Sequence, residues 1–206
     1  MRIIYPILLI ILTAAISSAQ PIGTVVIDPG HGGFDSGIKT PQLDEKDFAL
    51  TLSKELRAVL SEGNKKVVLT REVSRYLSFE ERTSASERAK ADIFISIHGS
   101  LQEGEGGGYA VYITRYPEGE LPPKKKYSPQ SKQKEYIAES RALAHAVAEA
   151  IKTELGAKVF LREIPLPMLN PVAAPAVLIE APMANAKEAR HLAAAIAKGI
   201  SNYESR

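Results

Sequence analysis

The stretch TVVIDPGHGG, residues 24–33, is the part of the sequence that most strongly indicates the fold. Its first five residues form a β-branched, largely apolar run that ends at Asp28, a pattern typical of a short buried strand. Pro29 and Gly30 then predict a tight loop, which carries His31. Because neither Gly-Lys-Ser nor Gly-Lys-Thr follows, this glycine-rich loop is not predicted to bind phosphate.

Downstream of this strand, helices alternate with further strands. Over residues 44–60, apolar residues such as Phe48 and Leu52 recur at helical spacing and form one face. Glu81 follows Ser78 by three residues, which predicts a capping box at the start of a second helix. The remaining predicted helices cover residues 78–90, 136–155 and 186–203, and the remaining predicted strands cover residues 66–70, 92–98, 109–114 and 176–180.

This alternation predicts the fold class, a single three-layer α/β domain. We expect a largely parallel central sheet with helices on both faces. Residues 92–98 are apolar on both faces of the strand, which favours a central place in the sheet. Residues 104–108, which are rich in Gly, are predicted to be a loop. Residues 115–135, which contain several Pro and Lys, are predicted to be a surface loop.

Residues 1–19 are predicted to be a signal peptide. Arg2 gives a positive start, residues 3–16 are almost wholly apolar, and residues 17–19 are small. The apolar run is shorter than the roughly 20 residues that span a bilayer, although an uncleaved N-terminal anchor is an alternative. We therefore expect a domain over residues 20–206, in the periplasm or outside the cell, without stable membrane insertion after cleavage.

Composition narrows the classes of function. The chain is 45% hydrophobic and 24% charged, which is ordinary for a globular domain. A formal net charge of +2, without a basic stripe of interleaved aromatic residues, argues against nucleic acid as a partner. The absence of cysteine excludes disulfides, thiolate metal sites and a cysteine nucleophile. Any metal ion must therefore be bound by His, Asp or Glu.

Polar residues occur at the ends of three predicted strands. His31 follows the first strand by three residues, His98 ends a second strand, and Glu180 ends a third. If these strands are parallel, all three residues lie at the carboxyl edge of one sheet, where open α/β sheets place their sites. Glu45 lies three residues before Phe48 and so shares the inward face of its helix, where a carboxylate is costly unless it is paired or bound to metal.

Two His and two carboxylates are a set of side chains suited to a hydrolytic zinc site. Catalytic zinc usually has three such ligands, and a further carboxylate can act as a general base. Each residue also has an ordinary alternative: the His as hydrogen-bonded structural residues, and Glu45 as a partner of the helix dipole. His145 and His191 lie within Ala-rich helices and are interpreted as structural or surface residues.

The chain resembles the zinc-dependent N-acetylmuramoyl-L-alanine amidases of the bacterial cell wall. The resemblance extends from about residue 25 to residue 203. It rests on successive motifs in order: VVIDPGHGGFDSG, DEKDFALTLSKEL, VVLTR, LSFEERTSASERAKADIFISIH and PAVLIE. It implies an α/β domain with a twisted central sheet, in agreement with the fold predicted above.

The resemblance also implies roles for individual residues. His31, Glu45 and His98 match the positions that bind one Zn²⁺ in the family, and Glu180 matches the catalytic carboxylate. The implied substrate is peptidoglycan, cleaved at the amide between N-acetylmuramic acid and L-Ala of the stem peptide, and an activator protein is a further candidate partner. The alternatives are a zinc peptidase that acts on the stem peptide and a wall-binding module without catalysis.

Some positions depart from the family pattern. Gly99 and Ser100 stand where Ala-Asn or Ala-Asp is usual, and Glu87 stands where Asn is usual. After Glu180, residues 181–183 read Ala-Pro-Met in place of a Gly-Phe pair. Residues 115–135 are too short and too rich in Pro for the inhibitory helix that some relatives carry. We expect these departures to affect substrate preference more than catalysis.

Overall fold

The computed structural model describes residues 22–101, 108–115 and 132–206, with the backbone alone described at residues 185–187. The predicted signal peptide lies outside these residues, as do most of the two predicted loops. The strands are β1 (Thr24–Pro29), β2 (Lys66–Leu69), β3 (Ile93–Ser100), β4 (Tyr109–Thr114), β5 (Val159–Ile164) and β6 (Ala176–Pro182). The α-helices are α1 (Glu45–Glu62), α2 (Phe79–Ala89), α3 (Ile137–Leu155) and α4 (Ala189–Glu204), and short 3-10 helices cover Lys132–Tyr136 and Met183–Glu188.

The strands of the described residues form one sheet in the order β2-β1-β3-β6-β4-β5. All neighbouring strands are parallel except β4 and β6, which are antiparallel. The predicted α/β domain with a largely parallel sheet is therefore confirmed. Because β1, β3 and β6 are parallel neighbours, their carboxyl ends meet at one edge of the sheet.

The two faces of the sheet carry different layers. Alternate residues of β1, β3 and β6, among them Ile27, Ile95 and Ile179, pack with apolar residues of α1, α3 and α4 in the main core. The residues between them face the other way, where Val26 and Phe94 pack with Ala89 of α2 and with Leu169. Successive side chains of a strand point to opposite faces of the sheet. An uninterrupted apolar run such as residues 93–95 therefore places apolar side chains on both faces, and each face is covered by its own layer.

Local sequence explains which residues α1 buries and where α2 begins. Phe48, Leu52 and Leu56 of α1 are fully or almost fully buried, as their spacing predicts. At the start of α2, the Ser78 side chain accepts a hydrogen bond from the backbone N–H of Glu81, and the Glu81 side chain accepts one from the N–H of Ser78. The predicted capping box is therefore confirmed.

The sequence interpretation ended β3 at His98 and β6 at Glu180, whereas each strand continues for two more residues. It was also wrong at three other places. It missed β5, an edge strand whose last four residues are exposed, because such a strand lacks the continuous apolar run of a buried one. It assigned residues 132–135 to a loop, whereas they begin a 3-10 helix in which Gln133 is buried. It began the last helix at residue 186, but residues 183–188 form a 3-10 turn and α4 starts at Ala189. Among the described residues, none of the helices is long and apolar enough to span a membrane.

Candidate metal centre

Three polar side chains from separate parts of the chain meet at the carboxyl edge of the sheet. His31 lies in the loop after β1, Glu45 is the first residue of α1, and His98 lies near the end of β3. One ligand atom from each lies within 4.8 Å of the others. Nε2 of His31 is 3.1 Å and Nδ1 of His98 is 2.9 Å from the same oxygen, Oε1 of Glu45.

Glu45 is the centre of this group and is 4% exposed. Its Oε2 accepts a hydrogen bond from the backbone N–H of Ile38 at 2.9 Å, and its Oε1 accepts one from the N–H of Gly99 at 3.1 Å. Burial by itself raises the pKa of this carboxyl group, but the contacts with His31 and His98 outweigh burial and hold the pKa well below its usual range. Glu45 is therefore an oriented, ionised carboxylate.

His31 is held by a second carboxylate on its other ring nitrogen. Nδ1 of His31 lies 2.9 Å from Oδ2 of Asp35. The contact with Glu45 raises the pKa of His31, burial opposes that effect, and Asp35 adds to it. The backbone of His31 is in the left-handed region, with φ of 58°, a conformation that a non-glycine residue rarely adopts without support from its surroundings.

The residues present fit a divalent cation such as zinc. Two imidazoles and one ionised carboxylate are the usual donors of a catalytic zinc site. In addition, Nε2 of His98 is buried and has no hydrogen-bond partner among the described residues, which is unusual for a buried polar atom. Asp35 supplies the carboxylate that commonly orients a metal-binding histidine from behind.

Glu180 lies beside this cluster on the neighbouring strand. The register of β3 and β6 pairs His98 directly with Glu180, so the two side chains leave the same face of the sheet. The hydroxyl group of Tyr112 in β4 donates a hydrogen bond of 2.8 Å to Oε2 of Glu180. Burial and this carboxylate raise the pKa of Tyr112 to about 12, so the phenol remains a donor at neutral pH.

Sequence reasoning missed a buried ion pair, Asp28 and Arg82, that supports the loop carrying His31. Asp28 is completely buried, and its Oδ1 lies 2.7 Å from Nη1 of Arg82. Arg82 also donates to the backbone carbonyls of Pro29 at 2.8 Å and His31 at 2.9 Å. The signal was present in the sequence, since a carboxylate at the end of a buried strand requires a partner.

A second buried arginine supports the same loop. Arg71 follows β2 and is 1% exposed. Its guanidinium donates to the carbonyls of Pro29 at 3.0 Å, Gly30 at 2.7 Å and Lys46 at 2.8 Å. Arg71 therefore connects the loop that carries His31 to the first turn of α1, which carries Glu45.

Two of the positions that depart from the family pattern are close neighbours in the structure. A Cβ atom at Gly99 would lie 2.6 Å from Cγ of Met183 and 3.2 Å from Cγ of Glu45. An alanine at position 99 would therefore require the Met183 side chain to move. Positions 99 and 183 are thus in close contact next to Glu45.

The other singled-out residues lie away from the cluster. Glu87 is an exposed residue of α2 and forms an ion pair with Lys132. His145 and His191 are both exposed, in α3 and α4, in agreement with their interpretation as surface residues. Of the four His and Glu residues selected as site candidates, His31, Glu45 and His98 come together and Glu180 lies next to them.

Solved structures show a similar fold. The catalytic domain of CwlV, an N-acetylmuramoyl-L-alanine amidase from Bacillus (Paenibacillus) polymyxa var. colistinus, is 27% identical, with a TM-score of 0.66 over 88% of this chain and 98% of that chain. AmiC2 of Nostoc punctiforme, named as the same kind of amidase, is also 27% identical, with a TM-score of 0.68 over 89% and 98% of the two chains.

Sequence relatives agree with these structures. The sporulation-specific N-acetylmuramoyl-L-alanine amidase of Bacillus subtilis is 38% identical over 96 residues, which is 46% of this chain and 36% of that protein. The chain spans about half or less of the length of the curated relatives that it matches. The model of the family described as N-acetylmuramoyl-L-alanine amidase matches residues 25–202. The chain therefore belongs to the N-acetylmuramoyl-L-alanine amidase family.

Proposed function

We propose that this protein is a zinc-dependent hydrolase that cleaves the amide between N-acetylmuramic acid and L-Ala of peptidoglycan stem peptides. The observation that carries the proposal is the convergence of His31, Glu45 and His98, with Glu180 on the next strand. Membership of the amidase family supports the same reaction. Peptidoglycan is accordingly the proposed macromolecular partner.

We assign one zinc ion per chain to His31, Glu45 and His98. Zinc bound there would supply Lewis-acid chemistry, which polarises a carbonyl group and makes a water molecule more acidic. The protein's contribution is rigidity. Glu45 is fixed by two backbone N–H groups, and His31 is fixed by Asp35 through its side chain and by Arg82 through its backbone carbonyl.

Glu180 is the proposed proton-transfer residue. It accepts the proton of the attacking water molecule and later gives it to the nitrogen of the leaving peptide. The hydrogen bond from Tyr112 holds Oε2 and so orients the carboxylate within the face that it shares with His98. Together these residues would place a base next to the metal centre, as amide hydrolysis at neutral pH requires.

The first experiment identifies the bond that is cleaved. The protein that starts at residue 20 is incubated with purified peptidoglycan, with zinc or with a chelator, and the products are analysed by mass spectrometry. An amidase releases whole stem peptides with an L-Ala N-terminus, whereas a zinc peptidase releases peptide fragments. A chain that binds the wall without any zinc-dependent release would be a binding module instead. Release that requires an added second protein would identify an activator.

The second experiment separates the metal ligands from the base. Glu180→Gln keeps the shape of the side chain but cannot accept a proton, so we expect a loss of about 10²–10⁴-fold in rate with zinc retained. His31→Ala should lower both rate and zinc content. Glu149→Gln is the matched control, since this glutamate of α3 is exposed. A Glu180→Gln protein that loses zinc would make Glu180 a ligand, and one with full activity would exclude it as the base.

We further propose that the protein is exported and cleaved after Ala19, because its substrate lies outside the cytoplasm and residues 1–19 have the pattern of a signal peptide. N-terminal sequencing of the exported protein should begin at Gln20. Recovery of a membrane-bound form that retains Met1 would favour the uncleaved anchor.

A further inference from the structure

An exposed pair of aromatic side chains lies in the segments that surround the metal centre. Phe34 is 82% exposed and Tyr76 is 46% exposed. Their rings are stacked, with centroids 4.4 Å apart and an angle of 23° between the ring planes. Apolar side chains that form a contiguous exposed patch point to a binding site more strongly than single scattered ones do.

The backbone beneath the two rings is closely packed. A Cβ atom at Gly32 would lie 2.0 Å from the carbonyl oxygen of Arg75, and one at Gly33 would lie 2.6 Å from the backbone nitrogen of Tyr76. The glycines therefore allow the two segments to touch at a distance that no other residue permits. Lys46 adds a hydrogen bond of 3.1 Å from Nζ to the carbonyl oxygen of Gly33. The two backbone segments that carry Phe34 and Tyr76 are thus held together before any ligand arrives.

The pair is also continuous with the metal centre. Phe34 directly precedes Asp35, whose carboxylate contacts His31. Tyr76 belongs to the segment after Arg71, which supports the loop that carries His31. Phe34 and Tyr76 are therefore carried by the loop that bears the proposed ligand His31 and by the segment that supports this loop.

We propose that Phe34 and Tyr76 form a sugar-stacking platform for the glycan strand of peptidoglycan. The proposal rests on the proposed function, in which the bond that is cleaved joins a sugar-borne lactyl group to a peptide. One side of that bond is therefore always a pyranose, whose ring face carries C–H groups while its hydroxyl groups point outwards to water. A flat apolar ring in an open position matches such a face, with the sugar hydroxyl groups still hydrated.

The chemistry of the platform favours the sugar over the stem peptide. Stem peptides carry carboxylates, which are bound by cationic side chains or by backbone N–H groups. The side chain of Phe34 has neither a charge nor a hydrogen-bonding atom. The platform therefore suits the neutral, ring-shaped part of the substrate, and the metal centre lies where the peptide begins.

The test compares two probes on the zinc-loaded protein that starts at residue 20. One probe is a glycan oligosaccharide from which the stem peptides have been removed, and the other is the free stem peptide. Binding is measured by calorimetry for the wild type, Phe34→Ala, Phe34→Trp and the control Leu161→Ala, which removes an exposed apolar side chain from the edge strand β5. Zinc content and the circular dichroism spectrum are measured for each protein.

We expect Phe34→Ala to weaken glycan binding by about 3–10-fold, the range that corresponds to one aromatic contact. Phe34→Trp should retain the affinity, and Leu161→Ala should not change it. On whole peptidoglycan, Phe34→Ala should raise KM by more than it lowers kcat. The proposal would be overturned if Phe34→Ala bound the glycan as well as the wild type does. It would also be overturned if the substitution weakened binding of the stem peptide and not of the glycan.

The outcome can be distinguished from a failure of the proposed function. If the wild type releases no stem peptide but binds glycan through Phe34, the platform holds and the proposed reaction is wrong. If the wild type releases stem peptides and Phe34→Ala binds glycan as well as the wild type does, the platform alone is wrong. A wild type that does not bind glycan at all also overturns the platform.

Discussion

The two ring nitrogens of His31 face two different carboxylates. Nδ1 lies 2.9 Å from Oδ2 of Asp35, and Nε2 faces Glu45. A carboxylate in this position fixes the tautomer and the orientation of a metal-binding histidine. Asp35 also accepts a hydrogen bond from the backbone N–H of Gly37 at 3.1 Å, so it connects two points of the same loop.

Asp35→Asn should weaken zinc binding by about 10–100-fold, the usual effect of losing such a supporting carboxylate. The affinity is measured by competition with a chromophoric chelator. Asp44→Asn is the control, because Asp44 precedes the proposed ligand Glu45 in the chain, but its side chain pairs with Lys46, at 3.7 Å, and among the described residues no side-chain pairing of Asp44 with a proposed ligand is found. An Asp35→Asn protein that keeps the wild-type affinity would show that the loop alone orients His31.

Arg82→Met should destabilise the fold. The Arg82 and Asp28 side chains are 7% and 0% exposed, so the substitution leaves a buried carboxylate without its cationic partner, at a cost of about 3–5 kcal/mol. Denaturant unfolding at neutral pH measures the free energy of unfolding. Arg141→Met is the control, because the Arg141 and Glu163 side chains are 49% and 37% exposed, and exposed pairs contribute little. Equal stabilities for the two variants would contradict the assignment of Arg82 as a buried support.

Gly99→Ala and Met183→Ala should be coupled. The alanine methyl group at position 99 would come within 2.6 Å of Cγ of Met183, so we expect a loss of about 1–3 kcal/mol from overpacking. Met183→Ala alone should cost about 2–5 kcal/mol through the cavity that it leaves. The double variant should be more stable than the sum of the two losses predicts, and a double-mutant cycle measures the difference. Additive losses would show that the two positions are independent.

Tyr112 should make the stability depend on pH in the alkaline range. Its pKa is raised to about 12 in the folded protein, whereas an unfolded tyrosine ionises near pH 10. The unfolded chain therefore loses its proton first, so the stabilisation is complete below about pH 10 and is lost as pH rises to about 12. Tyr112→Phe should show a smaller fall in unfolding free energy over this range. Equal slopes for the two proteins would mean that the phenol ionises normally in the folded state.

Tyr203 provides the control for that measurement. Burial also raises its pKa, but Tyr203 lies in α4, and no contact between Tyr203 and Glu180 is found among the described residues. Tyr203→Phe should therefore change the alkaline slope without affecting hydrolysis. Tyr112→Phe should lower the rate as well, because Glu180 loses the donor that orients it.

The sequence by itself determined the layers of the domain and the main residues of the site. Apolar runs such as residues 25–27 and 93–95 predict buried strands because each residue of a central strand is covered on one of two faces. His31 follows β1 by two residues, and His98 and Glu180 stand two residues before the ends of β3 and β6. Parallel strands bring their carboxyl ends together. The motif order then indicated the family and the ligand set.

Tertiary structure alone decided the groups that support those residues. Asp28 ends a buried run and so requires a partner, but that partner, Arg82, is 54 positions away and is identified only when the chain folds. Asp35 is close to His31 in sequence, but its role depends on a left-handed backbone at His31 that sequence patterns do not specify. The contact between Gly99 and Met183 likewise exists only where β3 and the turn after β6 come together. The periodic pattern of apolar residues in the sequence indicates which residues are buried. The partner of each buried charge depends on distances that arise only when the chain is packed.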